Sequence, residues 1–118
     1  MFQQLLEELT KVREEMAERI NSSKKLQEEV IKNCEIAERE YNCKMTRLIE
    51  TINRFGIVRT AQEIIRKGKT SDSFNKLVEK GRIDLTMEAA LVKPKYSELF
   101  TDEEVNACYE LLCENGYY

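Results

Sequence analysis

The chain carries neither glycine nor proline before Gly56, and across that span apolar side chains return every three or four residues. They are Leu5, Leu9, Val12, Met16 and Ile20, then Leu26, Val30, Cys34, Ala37, Tyr41, Met45, Leu48, Ile52 and Phe55. That spacing is the mark of an amphipathic helix. Nothing else in the sequence limits the fold as much. A strict heptad does not describe the stripe, because extending it by sevens puts Arg19, Asn33, Glu40, Lys44 and Arg47 on the seam. An 11-residue repeat fits better, aligning Val30 with Tyr41 and Ile52, Cys34 with Met45, and Ala37 with Leu48. Its period of about 3.67 residues per turn suits a straight or slightly right-handed bundle rather than a leucine zipper.

Five polar residues, Asn21 to Lys25, interrupt the stripe. They leave two readings. One is a continuous helix from about residue 2 to 55, which at 1.5 Å per residue is ~80 Å long. The other is a helical hairpin turning at Ser22–Ser23. The continuous form is the expected one. Its stripe would overhang any globule built by the rest of the chain, so self-association is expected through Leu5, Leu9, Val12, Met16, Ile20, Leu26, Val30, Cys34, Ala37 and Tyr41. On that reading, Val30→Asp combined with Ala37→Asp gives either a monomer or an unfolded chain.

Beyond Gly56 the sequence changes to short, punctuated helices. Thr60-Ala61-Gln62-Glu63 reads as a capping box opening a helix that stops at Gly68. Ser71 or Asp72 is placed to cap a second helix, terminated by Gly81. Asp84 or Thr86 caps a third, closed by Lys93-Pro94, and Thr101-Asp102-Glu103-Glu104 is a further capping box for a last helix that Gly116 follows. The expected fold is all-α: residues 1–55 as a long helix or helical hairpin for oligomerisation, and 56–118 as a small domain of four short helices. Residues 57–112 offer a small core, marginal without partners.

Composition excludes several functions. There is no histidine, so an imidazole base, a Cys–His or Ser–His pair and the common zinc sites are absent. Neither Cys34 with Cys43 nor Cys108 with Cys113 has the spacing of a metal knuckle. Cys34 and Cys108 fall on apolar stripes, whereas Cys43 and Cys113 read as more exposed. Gly68-Lys69-Thr70 resembles the tail of a phosphate-binding loop, but Glu63 stands where its first glycine belongs. The expectation is a non-enzyme with no cofactor and no metal. The longest apolar run is Ala89–Val92, and Glu7 and Glu8 cut short any signal-peptide core. A cytoplasmic protein without a membrane span follows as the expectation.

Charge is unevenly spread. Residues 54–82 hold eight basic side chains against three acids, for +5, and residues 83–118 hold two against eight, for −6. The basic stretch supports a second reading as a dimeric nucleic-acid binder. Helices near 60–67 and 72–80 would form a helix-turn-helix, with Arg59, Arg66, Lys67, Lys69, Lys76 and Lys80 on phosphates. Ser71, Ser73 and Asn75 would face bases. Against it, the helix-turn-helix Ala–Gly spacing is missing, no aromatic interleaves the basic residues, and the acidic end is able to neutralise the basic centre. The leading expectation is a helical regulator, adaptor or inhibitor that self-associates and presents its compact part to a macromolecule.

Overall fold

A computed structural model describes the backbone of residues 2–117 and the side chains of residues 7–117. Among these residues every regular element is helical. The first helix, α1 (Phe2–Tyr41), is unbroken through Asn21–Lys25, so there is no hairpin at Ser22–Ser23. Glu, Lys, Arg, Gln and Leu dominate it, all good helix formers, and the two serines are too few to interrupt them. Forty residues at 1.5 Å give about 60 Å, matching the 60 Å long axis of a molecule only 26 by 22 Å across.

The helix does not reach residue 55. It stops at Tyr41, because Asn42 adopts a left-handed conformation (φ 53°) that asparagine tolerates better than most side chains. The Cys43 N–H then donates to the Ala37 carbonyl at 3.1 Å. Glu38 accepts from the Met45 N–H at 2.9 Å, holding the entrance to α2 (Thr46–Phe55). Only Gly56 separates α2 from α3 (Ile57–Arg66). Its φ of 86° turns the chain sharply, and Gln27 on α1 accepts the free Ile57 N–H at 3.2 Å. Since α3 opens at Ile57, Thr60 is an interior residue rather than an N-cap. Its hydroxyl donates to the Gly56 carbonyl at 2.7 Å, and Glu63 pairs with Arg66 and Lys67 instead of closing a box.

Gly68 ends α3 as expected. The Lys69 N–H reaches the Ile64 carbonyl and the Gly68 N–H that of Ile65, a Schellman closure. The helix α4 (Phe74–Glu79) follows a left-handed Ser73, without a side-chain cap from Ser71 or Asp72. After a 3-10 turn at Ile83–Leu85 come α5 (Met87–Leu91), the one-turn α6 (Pro94–Ser97) and α7 (Asp102–Glu114). Thr86 caps α5 by accepting from Ala89 N–H, and the Thr101–Glu104 capping box opens α7. Pro94 starts α6 as its first residue, where a missing N–H costs nothing.

One core joins both sides of Gly56. Leu26, Val30, Cys34 and Ala37 on the C-terminal half of α1 meet Leu48, Ile52, Ile57, Ala61, Leu77, Leu91, Tyr96, Cys108 and Leu112, all buried. The C-terminal half of α1 packs against α3, α5, α6 and the 3-10 turn, while α7 covers α5 and α3. Residues 7–21 of α1 are exposed throughout and project beyond the globule as an arm.

Candidate functional site

The structure divides the apolar stripe in two. Leu26, Val30, Cys34 and Ala37 are at most 1% exposed and belong to the chain's own core, and so do not offer a surface to another molecule. Tyr41 is half-buried, its ring beneath the Arg82 guanidinium and its hydroxyl accepting from Arg82. Leu9, Val12, Met16 and Ile20 are the opposite case, 53, 52, 59 and 66% exposed along one face of the arm. Leu5 lies outside the described side chains. Scattered apolar residues on a surface are ordinary, but four in register along one exposed stretch of helix form a face.

The arm leaves the globule at a corner that the fold builds deliberately. Lys93 and Lys95, flanking Pro94, reach Glu29 on α1 at 2.9 and 4.0 Å and tie the start of α6 to the arm's base. The Lys93 ammonium is held above its ordinary pKa by that carboxylate. Nearly three turns further out along α1, Arg19 Nη2 donates to the Glu98 carbonyl at 3.4 Å. Between arm and globule lies an open groove of about 780 Å³, lined by Val12, Met16, Arg19, Lys95, Glu98 and Leu99 among others. A second groove, on the other flank, runs past Ile20 to Val58 and Leu99.

The basic segment is arranged differently from a helix-turn-helix. Arg59, Arg66, Lys67, Lys69, Lys76 and Lys80 are all exposed. However, α4 has six residues, Ser71 is buried against Glu88, and the Ser73 hydroxyl donates to the Lys44 carbonyl at 2.8 Å. Neither serine is presented to a base; Asn75 is exposed. Glu63 draws Arg66 to 2.9 Å and Lys67 to 3.8 Å, and Arg82 pairs with Asp84 at 3.0 Å. These pairs are local in sequence. An aromatic does interleave the basic residues: Phe55, 47% exposed, has the guanidinium groups of Arg54 and Arg59 over its ring, 5.3 and 5.4 Å from the centroid. The sequence signal was the Arg54-Phe55 pair with Arg59 four residues on, hidden when Phe55 is assigned to the apolar stripe.

Two further groups bear on chemistry. Glu88, on the first turn of α5, is 2% exposed. Its carboxylate accepts from the Ser71 N–H at 3.3 Å and hydroxyl at 3.0 Å, yet burial pushes its pKa up to about 7. No groove reaches it among those described. Of the cysteines, Cys34, Cys108 and also Cys43 are buried, and Cys113 is exposed. Cys43 turns inward because α1 ends two residues before it. Burial, with nearby carboxylates, pushes the Cys34 and Cys108 thiols up to about 12, so both resist ionisation. Gly68-Lys69-Thr70 is a helix stop followed by exposed turn residues.

No helix among the described residues is long and apolar enough to cross a membrane. Comparison of the chain with protein-family models, with curated proteins and with solved structures gives no match. The arm and its groove therefore carry the functional argument on their own geometry.

Proposed function

We propose that this is a non-catalytic helical interaction protein that assembles through the projecting half of α1. The observation that carries the reading is the arm itself: residues 7–21 are exposed beyond the core, reaching the globule through Arg19 at Glu98, while Leu9, Val12, Met16 and Ile20 stay more than half exposed on one face. In globular proteins most helix stability comes from packing an apolar face, and a free helix of this length is marginal in water. A partner along the arm supplies that packing. Covering the exposed parts of four such side chains contributes roughly 1 kcal/mol each. The globule below is then free to present its surface to a further macromolecule, as a regulator, adaptor or inhibitor does.

Because the core begins at Leu26, the arm is testable without damaging the fold. The Leu9→Glu, Met16→Glu double variant is expected to lose assembly while keeping the melting transition of the globule. Val30 and Ala37, 1 and 0% exposed, are unsuitable for this purpose, since an aspartate there is buried in the core. A double variant whose mass and self-association match those of the unaltered chain sinks the proposal.

A second reading, nucleic-acid binding by the basic segment, is favoured by the exposed Phe55 grouped with the guanidinium groups of Arg54 and Arg59, an aromatic beside two phosphate-binding groups. It predicts binding that falls steeply with salt and weakens on Phe55→Ala. Absence of binding to single strands or duplex at low salt removes it.

A further inference from the structure

We infer that Glu88 and Ser71 form a proton-operated latch on the turn between α3 and α4. With the carboxyl neutral the turn lies shut against α5, and ionisation of the carboxyl opens residues 69–73 to solvent. The latch is independent of assembly through the arm.

Glu88 is 2% exposed and Ser71 3%, so their contact is closed to water. The Ser71 N–H reaches Oε1 of Glu88 at 3.3 Å, and its hydroxyl lies 3.0 Å from Oε2. A neutral carboxyl fits this frame: Oε1 accepts the N–H, and a protonated Oε2 donates to the hydroxyl oxygen. The carboxylate keeps both contacts by turning the hydroxyl into a donor, but its charge is then buried without a cation. Among the described residues no basic side chain forms an ion pair with Glu88.

The elements packed on α5 are α1, α7, α6 and the 3-10 turn. From α1 and α7, the Cys34 and Cys108 thiols feel the Glu88 charge and stay neutral below about 12. Glu35 and Glu38 on α1, Glu104 on α7 and Asp72 in the latch turn add only negative charge around those thiols. On α6, Tyr96 is buried, while Lys93 and Lys95 reach Glu29 instead. At the 3-10 turn, Asp84 is paired with Arg82. An uncompensated buried carboxylate is the costly form, and burial accordingly pushes the Glu88 pKa up to about 7.

The turn itself opens at little cost. Residues 69–73 read Lys-Thr-Ser-Asp-Ser, with no apolar side chain, so no hydrophobic burial is lost from them. Left-handed Gly68 (φ 65°) and Ser73 (φ 61°) frame the segment. Its other side-chain hydrogen bond to the rest of the fold, among the described residues, runs from the Ser73 hydroxyl to the Lys44 carbonyl at 2.8 Å. Lys69, Thr70 and Asp72 line a groove with Arg47 and Thr51 of α2. Opening therefore rearranges one side of the basic face.

Amide hydrogen exchange in the full chain tests the latch, followed by NMR from about pH 5 to pH 8 and corrected for intrinsic chemistry. The Ser71 N–H bonds to Glu88, so its protection reads the latch directly. Opening restores the ordinary carboxyl value of 4.5, and the opening constant is expected to rise about 70-fold across that range. Ser71 is expected to be less protected than the core amides of α1 and α7 at each pH, because the turn opens without the fold. In Glu88→Gln the pH dependence at Ser71 is expected to vanish. Ser71 protection that does not fall with rising pH overturns the latch. So does protection equal to that of the core amides throughout, which shows that Glu88 is released only by global unfolding. A Glu88→Gln chain that keeps the pH dependence overturns it as well, since another group then carries the effect. Should that variant not fold, the Ser71 profile of the unaltered chain decides alone.

Discussion

A carboxylate buried at 2% exposure with only a serine for company is an unusual choice for a small core, and Glu88 has measurable consequences. Its position on the first turn of α5 and two hydrogen bonds from Ser71 favour the charged form, but burial outweighs them and its pKa rises from 4.5 to about 7. The folded state therefore holds a proton that the unfolded chain gives up at lower pH. Stability linked to Glu88 is complete below pH 4.5 and is lost as pH rises to about 7. A shift of this size corresponds to about 3 kcal/mol. Glu88→Gln keeps an acceptor for Ser71 without the charge. It is expected to flatten the pH dependence of denaturant unfolding across this window and to raise stability at pH 8. A variant with the original slope contradicts the assignment. Cys34 and Cys108 feel the Glu88 charge, but with thiols near 12 they do not titrate in the same range.

The decisive element boundary is the end of α1. Asn42 takes φ 53°, which costs an ordinary side chain about 1–2 kcal/mol. Asn42→Gly is expected to be neutral or slightly stabilising in thermal unfolding, and Asn42→Val to destabilise by about that amount. Equal effects from both would show that the left-handed turn does not set the helix end. This turn was not legible in the sequence because the apolar period runs through it. Met45, Leu48 and Ile52 stay in phase with Val30, Cys34 and Ala37 since α1 and α2 face one core, so periodicity cannot register the break. Local chemistry read more truly where side chains act within a few residues, as at the Thr101–Glu104 box, the Thr86 cap and the Gly68 and Gly81 stops. The Thr60–Glu63 pattern failed for a tertiary reason: Gly56 and Gln27 start α3 four residues earlier.

Across the whole molecule, the same stripe serves two purposes. Its second half is the spine of the core, and its first half is an open face on a helix about 60 Å long. The sequence displayed the stripe from Leu9 to Ala37 in full, but where the globule would stop covering it depended on α6 and Leu99 folding back to the level of Arg19 and Ser23. The burial of Glu88 and the exposure of Phe55 were likewise set by long-range packing. An architecture with one shared core and one bare arm makes assembly a property of the arm alone, separable from folding. The most direct test is the solution mass of the unaltered chain by size-exclusion chromatography with light scattering over a concentration series at physiological salt. A mass rising to twice 13.9 kDa is the predicted result. A constant 13.9 kDa at every concentration would contradict self-assembly through the arm.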